Sequence, residues 1–292
     1  MSNIAVVTDT NSGITQAEAE ELGIYLIKMP FIIDEEVYLE GEDLDHNMFY
    51  DKLLSGADIK TSQPSPESVL QKWDELLKTY DSIIHIPMSS GLSGSCSSAY
   101  ALALDYDGRI KVVDNKRISG TQKQSVLDAV ALVKAGKSAD EIAQILIDDW
   151  NNATIYLMVD TLKYLKKGGR ITPTAAALGT LLKIKPILTI QGDKLDAFQK
   201  ARTTKIAKEA MLHAIQNDVL NKFGYDKVDD RVIIGVVHSN VQEAADIFIE
   251  EIKAYFPECR DVKQEGLSLS IATHVGNGVL AVYAIKKLAI EE

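Results

Sequence analysis

The sequence predicts an α/β fold with two domains, the first built on a mostly parallel sheet flanked by helices and the second on a mixed sheet with helices. Strand and helix patterns alternate through residues 1–150, a hairpin signal follows residue 185, and 292 residues exceed what one hydrophobic core usually holds. We place the boundary near residues 151–153. This gives an N-terminal domain of residues 1–152 and a C-terminal domain of residues 153–292.

Short apolar runs predict the strands of the first domain, and capping signals predict its helices. Thr15 with Glu18, and Ser138 with Glu141, have the spacing of capping boxes, and Pro66 suits a first helical position. Because strands that alternate with helices are usually parallel, we expect a sheet covered on both faces. The predicted strands span residues 4–8, 24–33, 37–39, 83–86 and 110–113, and the predicted helices span residues 15–22, 46–54, 65–80, 99–104, 121–134 and 138–150.

The second domain is predicted to contain antiparallel strands and a long amphipathic helix. Gly192 and Asp193, between two strand patterns, indicate a hairpin. The basic run Lys166–Arg170 predicts a polar turn, which is usually solvated but can also dock an acidic partner. The predicted strands span residues 154–159, 187–190, 195–199, 232–237, 262–269 and 279–285, and the predicted helices span residues 173–182, 203–222 and 241–255.

Composition excludes several classes of function. The net charge of −11, from 42 acidic and 31 basic residues, argues against nucleic-acid binding and against broad docking on an anionic membrane. No apolar run approaches the roughly 20 residues of a membrane span, so we expect no integral membrane association. The N-terminus lacks a basic signal-peptide region, and Cys96 and Cys259 form no disulfide or metal framework. We therefore expect a cytoplasmic protein without a metal or cofactor.

Two hydroxyl-rich loops are candidates for holding an anion. Ser89–Gly94 lies between a strand and a helix, where free backbone N–H groups and serine hydroxyls can bind a carboxylate or phosphate. The alternative is a tight turn that caps the helix. Thr61 and Ser62 precede a second helix start, where they can face an anion or stay solvated while Ser65 caps the helix.

Asp9 and Thr10 follow the first strand, at the edge where ligands bind in open α/β sheets. Asp9 is a possible nucleophile or metal ligand. However, a phosphoryl-transferring aspartate usually has a second carboxylate two residues later, and here that residue is Asn11. The alternative is that Asp9 and Ser12 hydrogen-bond the backbone of the loop.

His274 and Arg202 are further candidates in the second domain. His274 precedes Gly276 and can donate to an anion, although a single histidine is more often a structural hydrogen-bond partner, and no second histidine or cysteine lies at metal spacing. Arg202 can neutralise a buried carboxylate or cover a domain seam. The sequence has no nucleotide phosphate loop and no evident nucleophile–base pair, so we predict no catalytic residue.

In their order and spacing these segments resemble the DegV family, fatty-acid-binding proteins that serve as the lipid-carrier subunit of bacterial fatty acid kinase. The resemblance covers essentially the whole chain. The segments that carry it are Thr8–Thr10, Lys60-Thr61-Ser62-Gln63-Pro64, Ser89–Gly94, Tyr164–Ile171, Arg202 and His274–Gly278.

The resemblance implies a carrier that holds a long-chain fatty acid in an internal tunnel and presents its carboxylate to a separate kinase subunit, with no cofactor of its own. It implies that Thr61 and Ser93 hold the carboxylate. The segment Ala175–Leu182, rich in alanine and leucine, suits a tunnel wall, and the alternative is ordinary core packing. The full set of implied residues is Thr61, Ser62, Ser93, Gly94, Arg202 and His274 for the carboxylate, Asp9, Thr10, Ser90, Gly91 and Gly276 as support, and Lys167 and Arg170 as kinase contacts.

Two other functions stay open at this point. One is a lipid sensor or storage protein without a kinase partner. The other is a phosphatase or transferase that uses Asp9 as its nucleophile, which predicts magnesium-dependent hydrolysis of phosphate esters by the chain alone.

Overall fold

The computed structural model describes residues 3–178 and 184–290, which divide into two compact units. Unit 1 contains the described residues up to Trp150 together with Ser268–Ser270 and residues 288–290, and unit 2 contains the rest. The chain therefore returns to unit 1 twice after first leaving it. That each half folds as a separate domain, with the boundary between residues 152 and 153, stays a prediction.

Unit 1 contains a parallel sheet and a small antiparallel sheet. Its strands are β1 (Ile4–Asp9), β2 (Tyr25–Ile27), β3 (Pro30–Ile33), β4 (Glu36–Leu39), β5 (Ile59–Thr61), β6 (Ser82–Ile86) and β7 (Ile110–Val112). Its helices are α1 (Gln16–Leu22), α2 (His46–Ser55), α3 (Pro66–Leu76), α4 (Ser95–Ala103), α5 (Gly120–Lys134) and α6 (Ala139–Asp148). The order β2-β1-β6-β7 is parallel throughout, and β4-β3-β5 is antiparallel. The predicted mostly parallel sheet is confirmed.

The parallel sheet is buried on both faces because its strand residues alternate between two apolar clusters. Val6 packs with Ile84 in the cluster that includes α5 and α6, whereas Val7 packs with Trp73 and Cys96 in the cluster that includes α3 and α4. Strands β2 and β6 lie on opposite sides of β1. The carboxyl ends of β1 and β6 therefore form the crevice in which open α/β sheets bind ligands.

Unit 2 is built on a mixed sheet with the order β10-β9-β8-β13-β11-β12, in which only β11 and β12 are parallel neighbours. Its strands are β8 (Ala153–Met158), β9 (Lys185–Ile190), β10 (Asp196–Ala201), β11 (Val232–His238), β12 (Val262–Gly266) and β13 (Leu280–Lys286). Its helices are α7 (Lys163–Gly168), α8 (Pro173–Leu178), α9 (Thr204–Asn221) and α10 (Gln242–Tyr255), and α11 (Leu269–Val275) begins in the returning segment. The mixed sheet and its β9–β10 hairpin are confirmed.

Two predicted elements of the second half are wrong. The basic turn at residues 166–170 is the end of helix α7, which stops at Gly169 in the left-handed conformation. A six-residue helix is too short to show a periodic pattern. The strand predicted for residues 262–269 stops at Gly266, where its pairing with His238 ends, and Leu269 begins α11. His274 therefore lies on a helix.

Within residues 3–178 and 184–290, no helix is long and apolar enough to cross a membrane. The same residues contain no group of three or more histidine, cysteine, aspartate or glutamate side chains placed to hold a metal ion.

Candidate functional site

Asp9 ends β1 and holds the surrounding loops together. Its side chain is only 1% exposed, and its two oxygens accept hydrogen bonds from Asn11, Met88 and Gln122. The Met88 N–H to Asp9 Oδ2 distance is 2.9 Å, and the Gln122 Nε2 to Oδ1 distance is 3.2 Å. Burial raises the pKa of Asp9, while these hydrogen bonds oppose the rise. A carboxylate enclosed in this way suits a structural role better than nucleophilic attack.

Thr10 continues this supporting network toward a second buried carboxyl group. The Thr10 hydroxyl accepts a 3.2 Å hydrogen bond from the Met29 N–H and also contacts Glu40. Glu40 accepts a 2.7 Å hydrogen bond from the Leu269 N–H, in the segment that returns to unit 1. Burial raises the pKa of Glu40 to about 7, and the nearby charge of Asp9 adds to the rise. Sequence reasoning missed Glu40 because nothing near it in the chain marks it.

The Ser89–Gly94 loop follows β6 and turns directly into α4. The N–H groups of Leu92 and Ser93 both donate to the carbonyl of Ser89, which closes the loop into a tight turn. The Ser95 N–H donates to Ser93 Oγ over 3.2 Å. Because Ser93 Oγ accepts at this position, its own O–H can donate to a ligand. Ser93 is half-buried.

Segment Asp114–Arg117 anchors the start of this loop. The Ser89 N–H donates to the Arg117 carbonyl over 3.0 Å, and the Ser90 N–H donates to Asp114 Oδ1 over 3.3 Å. Arg117 itself is fixed by a buried ion pair, with 2.6 Å between its Nη2 and Asp149 Oδ2. Gly91 donates its N–H to Ser89 Oγ over 3.2 Å. The predicted supporting residues Ser90 and Gly91 therefore lie in a rigidly hydrogen-bonded turn.

The second hydroxyl loop begins where β5 ends at Thr61. The Ser62 N–H donates to the Pro30 carbonyl over 3.2 Å, which continues the pairing of β5 with β3. Ser62 is exposed and Thr61 is half-buried. Ser65 caps α3 by accepting from the Ser68 N–H over 3.1 Å. Ser65 thus caps α3, and Thr61 and Ser62 lie just before it at the end of β5.

Gln63 connects the two loops. Its side-chain amide donates to Ser98 Oγ on α4 over 3.0 Å, and the same hydroxyl lies 3.2 Å from Gln63 Oε1. Gly94, at the start of α4, lies directly against this amide, because an added Cβ there would come within 2.8 Å of Gln63 Oε1 and displace it. Thr61, Ser62, Ser93 and Gly94 therefore belong to loops that unit 1 holds against each other.

Unit 2 contains a separate cluster formed by the end of α7 and by α11. The imidazole of His274 packs on Gly168, where an added Cβ would collide with His274 Nδ1. The Arg170 guanidinium donates to the Gly168 carbonyl. Burial, with a smaller contribution from the Arg170 charge, lowers the pKa of His274 to about 4. His274 and Arg170, predicted for different roles, are therefore neighbours.

The other predicted residues of unit 2 differ in exposure. Gly276, which follows α11, has a φ of +84° and lies against the ring of Tyr164, so only glycine suits the position. Arg202, between β10 and α9, and Lys167, in the last turn of α7, are exposed. The part of the predicted tunnel wall that spans residues 179–182 lies outside the described residues, while Ala175 and Leu178 are buried.

Comparison with known proteins identifies the family. The family model described as "Uncharacterised protein, DegV family" matches residues 3–287. The chain belongs to the DegV family. A DegV domain-containing protein of Staphylococcus aureus is 30% identical over 290 residues, which cover 98% of this chain and 100% of that protein.

Solved DegV structures share the fold. A structure of a DegV family protein from Thermus thermophilus, described by its fatty acid binding, has a TM-score of 0.89 at 29% identity and covers 98% of this chain and 100% of that one. DegV from Bacillus subtilis, described as a fatty acid binding protein, has a TM-score of 0.85 at 32% identity with the same coverage. The predicted family and α/β fold are confirmed.

Basic residues of this DegV protein are concentrated in one part of its sequence. Residues 163–208 contain eleven lysines and arginines and two acidic residues, whereas the rest of the chain contains 20 basic and 40 acidic residues. This basic segment includes the predicted contacts Lys167 and Arg170. A local excess of positive charge on an acidic protein indicates an area that attracts anionic groups.

Proposed function

We propose that the protein binds a long-chain fatty acid and that Thr61 and Ser93 hold its carboxylate, with Ser62 and Gly94 in the same loops. The observation that carries the proposal is the fixed Ser93 hydroxyl, which accepts from the Ser95 N–H and keeps its own O–H for a ligand. A buried carboxylate needs such donors, because desolvation without them costs several kcal/mol or protonates the group. Fatty acid binding by similar DegV proteins supports the ligand class.

The acyl chain is expected to supply most of the affinity. Burial of one CH₂ group contributes about 0.8 kcal/mol, so a sixteen-carbon chain contributes on the order of 10 kcal/mol before entropy losses. The polar residues then set the orientation of the carboxylate. His274 and Arg202 are proposed as further carboxylate contacts, and Asp9, Thr10, Ser90, Gly91 and Gly276 as their structural support.

The first test is extraction of the purified protein with organic solvent followed by mass spectrometry. A stoichiometric fatty acid, or tight binding of added palmitate, is the expected result. Thr61→Ala and Ser93→Ala are each expected to weaken palmitate binding about ten-fold, the value of one charge-assisted hydrogen bond. Ser97→Ala, at an exposed position of α4, is the matched control. A protein that yields no lipid and binds no palmitate would contradict the proposal.

We further propose that the bound carboxylate is presented to a separate kinase subunit. There a carboxylate oxygen attacks the γ-phosphorus of ATP, which forms an acyl phosphate and releases ADP. This chain has no nucleotide phosphate loop of its own, and its basic segment suits an acidic partner surface. Lys167 and Arg170 are the proposed contacts. As a carrier, this chain would supply no phosphoryl-transfer chemistry.

The kinase step is tested by separating lipid binding from acyl phosphate formation. Lys167→Glu is expected to lower acyl phosphate formation by a kinase subunit several-fold and to leave palmitate binding unchanged. Lys134→Glu, at the end of α5 in unit 1, is the control for charge reversal. A pull-down that recovers no kinase subunit would favour a lipid sensor or storage protein.

A further inference from the structure

Gln63 and Ser98 are hydrogen-bonded to each other. The Gln63 amide and the Ser98 hydroxyl form a reciprocal pair, in which the hydroxyl accepts from Nε2 over 3.0 Å and lies within donating distance, 3.2 Å, of Oε1. The pair joins residues that are 35 positions apart in the sequence. One end lies two residues after Thr61, and the other lies on the helix that begins directly after Ser93 and Gly94.

The side-chain amide of Gln63 lies close to the backbone of Gly94. Its φ of −73° is open to any residue, so backbone conformation does not require glycine at this position. A Cβ at position 94 would lie 2.8 Å from Gln63 Oε1, so the end of the Gln63 side chain would have to move to admit it. The amide of Gln63 therefore lies directly against the backbone that follows Ser93.

We propose that Gln63 is a positioning residue that fixes the distance between the Thr61 and Ser93 hydroxyls. The inference rests on the proposed carboxylate-binding function. Consecutive residues span at most about 3.5 Å of chain, so a contact made by Gln63 restrains Thr61 closely, and the contact with Gly94 restrains Ser93. Two hydroxyls at a fixed distance bind the two oxygens of one carboxylate. The pair formed by Gln63 and Ser98 therefore sets the preference for a fatty acid over the corresponding alcohol, which has one oxygen.

The first experiment measures the ratio of affinities for palmitic acid and hexadecanol. Gln63→Ala and Ser98→Ala are each expected to lower this ratio about ten-fold, with the thermal midpoint within a few degrees of the wild type. Ser98→Thr keeps the hydroxyl and is expected to keep the ratio. Gln144→Ala is the control, because Gln144 is an exposed glutamine that pairs with Asp148 on its own helix.

A double-mutant cycle tests the contact with Gly94. Gly94→Ala alone is expected to weaken palmitate binding more than Gln63→Ala, because its methyl group displaces the amide. The double variant Gly94→Ala with Gln63→Ala is expected to bind like Gln63→Ala alone, since the overlapping atom is gone.

The outcomes separate this inference from the proposed function. If the wild type binds palmitate and Gln63→Ala and Ser98→Ala keep its ratio of palmitic acid to hexadecanol affinity, the positioning role is overturned. The fatty-acid proposal then still stands. Additive effects of Gly94→Ala and Gln63→Ala on the free energy of palmitate binding would also overturn the positioning role. If Gly94→Ala does not fold, the Gln63 and Ser98 variants decide the matter alone. Wild-type protein that binds no palmitate would overturn both proposals.

Discussion

The polar groups of unit 1 and those of unit 2 are buried in different ways. Around Asp9 in unit 1, each carboxylate oxygen accepts hydrogen bonds from backbone or amide groups. Around His274 in unit 2, a neutral imidazole lies beside the Arg170 cation on the backbone of Gly168. The first arrangement holds loops at fixed positions, and the second brings a positive charge close to a titratable group. The comparison indicates that hydrogen bonds fix the loops around Asp9, whereas burial and a neighbouring charge shift the pKa of His274.

The largest expected difference between the units concerns their ion pairs. Arg117 and Asp149 in unit 1 are almost fully buried, so Arg117→Ala removes the cation that faces the buried Asp149 carboxylate. We expect this change to lower the free energy of unfolding by about 3–5 kcal/mol. The matched control is Arg231→Ala in unit 2, whose pairs with Asp226 and Asp229 are more exposed, and we expect it to cost about 0–1 kcal/mol.

Urea denaturation of both variants, with the wild type at equal concentration, measures this difference. Hydrogen exchange then shows whether the protection lost in Arg117→Ala lies in unit 1, including the amides of the Ser89–Gly94 loop. Equal losses of unfolding free energy in Arg117→Ala and Arg231→Ala would mean that burial does not decide how much these ion pairs contribute to stability.

The next largest effect concerns Asp9. In Asp9→Asn the side chain keeps its shape, but its NH₂ group then faces an N–H donor from Met88, Asn11 or Gln122. An unsatisfied buried group of this kind is expected to cost about 2 kcal/mol of stability. The measurement is the urea midpoint, together with exchange protection of the residues after β6. Asp51→Asn, at an exposed position of α2, is the control for the same carboxyl-to-amide change.

The same variant tests the enzyme hypothesis. If Asp9 acts only as structural support, the wild-type chain alone is expected to hydrolyse no phosphate ester in the presence of magnesium. Hydrolysis by the wild type that disappears in Asp9→Asn, while the fold remains, would instead make Asp9 a nucleophile.

Glu40 is expected to give unit 1 a stability that falls as the pH rises. Its folded pKa of about 7 lies above its ordinary value of 4.5, so the proton is held more tightly in the folded state. The contribution of Glu40 to the free energy of unfolding is therefore fully present below pH 4.5 and is lost as the pH rises through about 7. In Glu40→Gln, the fall in the free energy of unfolding between low and high pH is expected to be smaller by roughly 2 kcal/mol. Urea midpoints between pH 5 and pH 8 measure this dependence, and Glu21→Gln, at an exposed position of α1, is the control.

Much of the fold follows from local patterns, but the contacts at the site do not. Both capping boxes, at Thr15 and at Ser138, form as their spacing predicts, because each is complete within one helical turn. Gln122 reaches Asp9 across 113 residues. The reason for glycine at position 168 is the ring of His274, which lies far along the chain. No local pattern can mark these residues, since their partners are chosen by the tertiary structure.

The smallest expected effect is the opposite pH dependence in unit 2. Burial and the Arg170 charge lower the pKa of His274 from 6.5 to about 4, so the folded state disfavours the imidazolium. Its contribution to stability is therefore present above pH 6.5 and is lost as the pH falls toward 4. His274→Gln is expected to reduce this loss of unfolding free energy between pH 6.5 and pH 4 by on the order of 1 kcal/mol.

Hydrogen exchange at pH 5 and pH 7 measures this effect in unit 2 separately from the Glu40 effect in unit 1. His213→Gln is the control, since His213 is exposed on α9. A bound carboxylate near His274 would favour the imidazolium. Palmitate is therefore expected to reduce the stability that the wild type loses as the pH falls, and to have no such effect in His274→Gln. An equal effect of palmitate in both proteins would place the ligand carboxylate away from His274 and leave the hydroxyls of unit 1 as its proposed donors.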